Sequence, residues 1–215
     1  ALPVAALFDD PTIRGLLANL RRAVLGEPEP APALVALSRG SSLPLSFAQQ
    51  RVWLLEQLES LAGAYNTRCQ IELRGPLDVA GLERSLTEVV RRHETLRTRI
   101  VTRSDGDGVQ VIAPPTPCRL AVVDLSSLPA PEQSEAVLSE ARAEAQQPFV
   151  LSERLSRARV MRIAPDRHLL LFTIHHTVAD FWSYVILLRE LGTLYGAFVR
   201  GEPSLVRALP VQYVG

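Results

Sequence analysis

Leu169-Leu170-Leu171-Phe172-Thr173-Ile174 is an unbroken run of large apolar and β-branched side chains. A strand with one wet face alternates, so a run like this belongs to a strand covered on both faces, in the middle of a sheet. Ala158 to Ile163 pairs with it as a hairpin through Ala164-Pro165-Asp166-Arg167. Seven residues after the run, Phe181 begins a long apolar helix that reaches Val199. A buried strand feeding such a helix requires an α/β (α+β sandwich) design with helices packed on the sheet.

The other segments fit that design. Asp78 to His93 carries Leu82, Leu86, Val89 and Val90 on one face, as a helix does. Phe47 to Leu61 is a second amphipathic helix with Ser46 as its N-cap, and Pro131 to Gln146 is a third. Thr67 to Leu73, Leu96 to Val101, Val109 to Ile112 and Leu120 to Asp124 are expected strands, the middle two around the turn Asp105-Gly106-Asp107-Gly108. Ahead of them, residues 1–10 suggest one helical turn and 11–25 a helix, too little to bury a core alone. Gly26-Glu27-Pro28-Glu29-Pro30-Ala31-Pro32 opens a Pro-rich linker over 26–43, which leaves 44–215 as the main domain.

Composition removes several classes of function. Of 215 residues, 47% are hydrophobic and 21% charged, enough to pack a core. Net charge is zero, so no nucleic-acid face or electrostatic membrane anchor is expected. All 23 basic residues are Arg, which excludes a Schiff-base lysine and a lysine-dependent phosphate loop within this chain. Cys69 and Cys118 form neither a disulfide framework nor a zinc motif. No apolar run of membrane-spanning length occurs, and the start Ala1 to Asp10 is acidic rather than basic, so a cytoplasmic location is expected.

The stretch that carries chemistry is Thr173-Ile174-His175-His176-Thr177-Val178-Ala179-Asp180. Strand ends hold the backbone firmly while the following loop exposes side chains. Successive strand residues point to opposite faces, so one histidine is expected against the core and the other toward a cavity. A neutral imidazole can take a proton from an amine or hydroxyl near physiological pH. An acid at the following helix start can pair with an Arg and hold the loop. A simple surface turn, or two ligands of a metal, fits the same residues.

Three ordered motifs narrow this. His175-His176-Thr177-Val178-Ala179-Asp180 resembles the HHxxxDG signature of condensation domains of non-ribosomal peptide synthetases. Ser46-Phe47-Ala48-Gln49-Gln50-Arg51-Val52-Trp53-Leu54-Leu55 resembles their opening SxAQxRxWxL motif, and Arg92-His93-Glu94-Thr95-Leu96-Arg97-Thr98 their RHExLRT motif. Leu209-Pro210-Val211-Gln212-Tyr213 is similar to the run-in to a further motif, cut short. The resemblance spans roughly 43–213 and implies one lobe, the amino-terminal one, of a two-lobed chloramphenicol-acetyltransferase-like fold. Residues 1–25 are similar to the last helices of a peptidyl carrier domain, without its phosphopantetheine-bearing serine.

The resemblance also implies roles. His176 would be catalytic, deprotonating or positioning the acceptor amine, and His175 structural. Asp180 would pair with an arginine, Arg92 in particular, with Arg97 also supporting the site. Phe181, Trp182 and Ser183 would line the substrate channel, although Trp53 and Trp182 by residue type alone read as core, and His93 as structural. Phe181 departs from the family, which has Gly there, and is expected to narrow the channel or displace the loop. No cofactor or metal would bind directly; phosphopantetheine arms of donor and acceptor carrier domains would deliver substrates. The carboxyl-terminal lobe and a neighbouring adenylation domain would be further partners. The ending in mid-motif leads to the expectation of an experimentally truncated lobe, inactive alone. A non-catalytic recruitment module and an epimerisation-domain lobe remain open as alternatives.

Overall fold

The computed structural model describes residues 10–25, 43–58, 63–204 and 206–213. The expected turn at 1–10 and the linker over 26–43, apart from Asp10 and Leu43, lie outside the described residues. The chain divides into two compact units, Ala1–Val35 and Ala36–Gly215. In the first, helix α1 (Ile13–Leu25) starts at Thr12, whose Oγ1 accepts the Gly15 N–H at 3.0 Å. Ile13, Leu17 and Leu20 form an exposed apolar stripe along it.

The second unit is built on two sheets. Strands β2 (Asn66–Arg74), β7 (Arg167–His175), β6 (Ser156–Ala164) and β5 (Ala121–Asp124) lie in the order β2-β7-β6-β5. Both β2 and β6 pair antiparallel with β7, and β5 joins β6 in parallel. The apolar run of β7 is thus hydrogen-bonded on both edges. Its alternate residues also divide between two cores. Leu170, Phe172 and Ile174 meet Leu82, Leu86, Val89 and Val90 of α3 (Val79–Arg92) and Leu187, Leu191 and Leu194 of α5 (Phe181–Val199). Leu171 on the opposite face joins Met161, Ile163 and Leu125 under Val137 and Ala141 of α4 (Ala130–Gln146). Helices on both faces are what made the run continuous rather than alternating.

The smaller sheet has the order β1-β4-β3, from β1 (Leu43–Pro44), β3 (Thr98–Thr102) and β4 (Gly108–Ile112). Gly106 makes the β3–β4 turn with φ 91°, a left-handed conformation that suits glycine. Gly108 starts β4 beneath Trp53, where a β-carbon would sit 2.9 Å from an indole ring carbon. Helix α2 (Phe47–Leu58) opens with a reciprocal cap: Ser46 Oγ accepts the Gln49 N–H at 3.3 Å, and Gln49 Oε1 accepts the Ser46 N–H at 3.0 Å.

One element differs in kind from expectation. Glu94–Arg97 is a 3-10 turn rather than the start of a strand, and β3 begins only at Thr98. The turn drives Leu96 into the core, and Thr98 Oγ1 donates back to the Glu94 carbonyl at 2.8 Å. Burial of one leucine outweighs the strand preference of its neighbours. Among the described residues no helix is long and apolar enough to cross a membrane.

Candidate active site

The histidine pair closes β7. His175 is its last residue, opposite Asn66 of β2, and is 1% exposed. The rings of Tyr65 and Phe149 meet it edge-on at 6.2 and 5.9 Å between centroids. His175 Nε2 lies 2.8 Å from Glu56 Oε1, and Nδ1 lies 2.8 Å from Thr177 Oγ1. Burial pushes the imidazole below its ordinary pKa more strongly than Glu56 raises it. The ring is therefore neutral at physiological pH.

His176 lies outside this packing and is exposed. Its backbone N–H donates to the Tyr65 carbonyl at 2.8 Å, which pins the chain as it leaves the sheet. Its Nδ1 is 3.2 Å from the Ala179 carbonyl. A carbonyl can only accept, so Nδ1 carries the proton in this contact. In the neutral ring Nε2 is then an unprotonated acceptor. The following turn closes with Val178 N–H donating to the His175 carbonyl at 3.1 Å.

Asp180 does not pair with Arg92. It is the N-cap of α5: its Oδ1 accepts the Ser183 N–H at 2.8 Å and the Ser183 hydroxyl at 2.7 Å, while Ser183 Oγ accepts the Asp180 N–H at 3.2 Å. The Ser183 hydroxyl, and then its N–H, hold the Asp180 carboxyl below the usual carboxylate range. Ser183 is thus committed to this cap. Arg92 instead bonds Glu190, ten residues further along α5, at 3.1 and 3.3 Å, and donates to the Val206 carbonyl at 3.2 Å. His93 Nε2 shares Glu190 at 2.8 Å. Arg97 donates to the Ala113 carbonyl at 2.6 Å and to Glu94 at 3.1 Å. Both arginines therefore brace the corner after α3, not the histidine loop. The reason is local: a carboxylate at a helix start is already satisfied by its own backbone, whereas Glu190 on the buried face of α5 has no such donors.

Phe181 is 83% and Trp182 69% exposed at the start of α5, so Trp182 is not a core residue. No described non-glycine residue has a positive φ, so Phe181 sits at the start of α5 without left-handed backbone strain. It adds an aromatic surface instead. Three supporting roles are not read from the sequence. Glu56 and Gln49 were seven apart on one face of a helix already marked out. Glu190 was an acid within a long apolar helix, a signal in itself.

The mixed sheet sandwiched by helices, with a histidine pair at the end of its inner strand, defines one α/β lobe of the chloramphenicol-acetyltransferase-like class. Within that class, the chain belongs to the condensation-domain family, whose family model, Condensation domain, matches residues 40–214. It is 39% identical over 213 residues to one of the linear gramicidin synthase proteins of Brevibacillus parabrevis, covering 99% of this chain and 4% of that protein. It is 42% identical over 178 residues to chondramide synthase cmdD of Chondromyces crocatus, covering 82% of this chain and 4% of that one. Among solved structures, the first condensation domain of the calcium-dependent antibiotic synthetase, in complex with a substrate analogue, matches with TM-score 0.72 and 30% identity, over 79% of this chain and 41% of that one. The X-domain and OxyB complex from teicoplanin biosynthesis matches with TM-score 0.74 and 30% identity, over 84% of this chain and 38% of the matched one. The chain thus spans a few per cent of these curated relatives and about two-fifths of the solved chains.

Proposed function

We propose that the protein containing this lobe joins two carrier-bound acyl groups through an amide bond, with His176 at the reacting amine. The observation that carries the reading is the exposed His176 ring with Nδ1 tied to the Ala179 carbonyl, which leaves Nε2 as the acceptor nitrogen of the neutral ring. In this reading the acceptor amine attacks the donor thioester carbonyl, a C–N bond forms and the C–S bond breaks. Nε2 accepts or orients the amine proton, and the departing pantetheine thiolate ends as a thiol. Donor and acceptor carrier domains bring the two substrates on phosphopantetheine arms, and the opposite wall of the channel comes from a second lobe. Phe181 and Trp182 offer apolar surface where such arms enter. In this reading residues 1–25 are the tail of a preceding carrier domain, within a stretch shared with a relative that matches 99% of this chain.

The test uses the complete parent with aminoacyl carriers on both sides. His176→Ala is expected to lower peptide formation by roughly 10²-fold or more, and unimpaired formation would sink the assignment. Phe181 in place of the family's Gly favours a second reading, a recruitment module that does not condense. A parent that forms no peptide with intact His176 yet retains a partner protein in a pull-down would select it.

A further inference from the structure

Helix α2 meets the histidine loop through two polar side chains, Gln49 and Glu56. Seven residues are close to two turns of α-helix, so both project from one face. Gln49 is buried, and its Nε2 donates to the Thr177 carbonyl at 3.1 Å and to Gln110 Oε1 at 3.2 Å. Glu56 Oε1 lies 2.8 Å from His175 Nε2. One side chain therefore holds the loop directly and the other holds the ring beneath it.

The hydrogen-bond chemistry fixes more than position. A carboxylate only accepts, so the single proton of the neutral His175 ring sits on Nε2. Nδ1 is then an acceptor. It takes the Thr177 hydroxyl at 2.8 Å, and the Thr177 N–H approaches it at 3.4 Å. The Thr177 backbone is thereby held from both sides, its N–H by His175 and its carbonyl by Gln49. His176 is the residue between them.

We propose that Glu56 is a positioning residue for His176: it selects the Nε2–H tautomer of His175, and that tautomer holds the Thr177 turn that presents the His176 ring. The inference rests on His176 being the group at the reacting amine. Without Glu56 the buried Nε2–H loses its partner and the proton can move to Nδ1. There it repels the Thr177 N–H and forces the hydroxyl to turn round as an acceptor. A shift of about 1 Å in a reacting group is worth on the order of a hundredfold in rate.

The complete two-lobed parent, supplied with donor and acceptor carriers, tests this with Glu56→Ala and Glu56→Gln. Gln keeps an oxygen that accepts from Nε2–H. Glu56→Ala is expected to lower kcat by about ten- to a hundredfold with KM for the acceptor carrier nearly unchanged. Glu56→Gln recovers most of that loss. Nitrogen NMR of histidine-labelled protein is expected to find His175 protonated at Nε2 in the parent and in Glu56→Gln, and shifted toward Nδ1 in Glu56→Ala. Wild-type kcat in Glu56→Ala overturns the proposal, and so does an Nδ1-protonated His175 in the parent. Should Glu56→Ala fail to fold, Thr177→Val removes the hydroxyl at the other end of the ring; a several-fold fall in kcat supports the relay and an unchanged kcat overturns it. The NMR arm reads the Glu56–His175 pair whatever His176 does, so loss of the proposed function through His176→Ala leaves it separately decidable.

Discussion

Helix α5 carries two acids that do opposite jobs. Asp180, at its first turn, is exposed and satisfied by the backbone and hydroxyl of Ser183. Glu190, in its middle, is buried and takes up Arg92 and His93 from the end of α3. Their ten-residue separation amounts to about 15 Å along the helix. The first acid shapes the loop beside His176, and the second ties down the corner from which the chain continues. Gln212 adds to that corner, donating to the Arg92 carbonyl at 2.8 Å and accepting the Glu94 N–H at 3.2 Å. The family motif thus distributes its support between two places: loop geometry is held from within the loop, while the motif arginine serves the scaffold.

The contrast breaks most visibly at Glu190. Glu190→Ala leaves the Arg92 guanidinium buried with the Val206 carbonyl as its remaining partner. Removing one side of such a pair costs on the order of 3–5 kcal/mol, read as a lower urea midpoint. Replacing both residues, Arg92→Met with Glu190→Met, is expected to restore most of that loss, because neither charge then remains buried alone. A double variant as unstable as the single one would show that the corner needs the charges themselves. Burial pushes the Glu190 carboxyl up, but its bonds to Arg92 and His93 outweigh this and hold it below the ordinary range. Its contribution is therefore complete above the unfolded carboxylate pKa, about 4.3, and lost as pH falls through the lower folded value.

How far the sequence foretold this depends on how local each cause is. Phe181–Val199 begins and ends where the apolar period does, and the β6–β7 hairpin lies where its apolar runs and turn residues put it. Leu96 was misplaced because its burial, not its neighbours' propensity, decides the 3-10 turn. At the site, strand alternation foretold one buried and one outward histidine, and the family resemblance said which was which. The partners were harder. Glu56 and His175 are 119 residues apart, and nothing local joins them. Asp180 is the reverse case: Asp-x-x-Ser at a helix start is a readable reciprocal cap, although the family motif points to a distant arginine.

Asp180→Ala sharpens the comparison from the other end. Losing an N-cap costs about 1 kcal/mol, well below the Glu190 effect, and the loss shows in the same urea experiment. The depressed carboxyl contributes above the unfolded aspartate pKa, about 3.9, and loses that contribution as pH falls through its folded value. Asp180→Asn keeps an accepting oxygen and is expected to retain most of the stability while flattening this acid dependence. An Asp180→Ala variant as damaged as Glu190→Ala would erase the distinction between local cap and buried pair.

The smallest effect lies between the two acids, at Tyr184. Its hydroxyl donates to the Thr67 carbonyl at 2.8 Å, tying the first turns of α5 to β2 one residue after Asn66, the strand partner of His175. Burial raises this phenol's pKa to about 12. The folded state thus holds its proton more tightly than the unfolded chain, where a tyrosine titrates near 10. The stability this represents is whole below about pH 10 and declines as pH rises toward 12. Tyr184→Phe forgoes one hydrogen bond, about 1 kcal/mol at neutral pH, but has no proton to lose. The gap between the two proteins should therefore narrow steadily in urea titrations above pH 10. A gap that stays constant would mean that the hydroxyl is not held as its burial and its bond to the Thr67 carbonyl require, and that α5 is anchored near the histidine loop by packing alone.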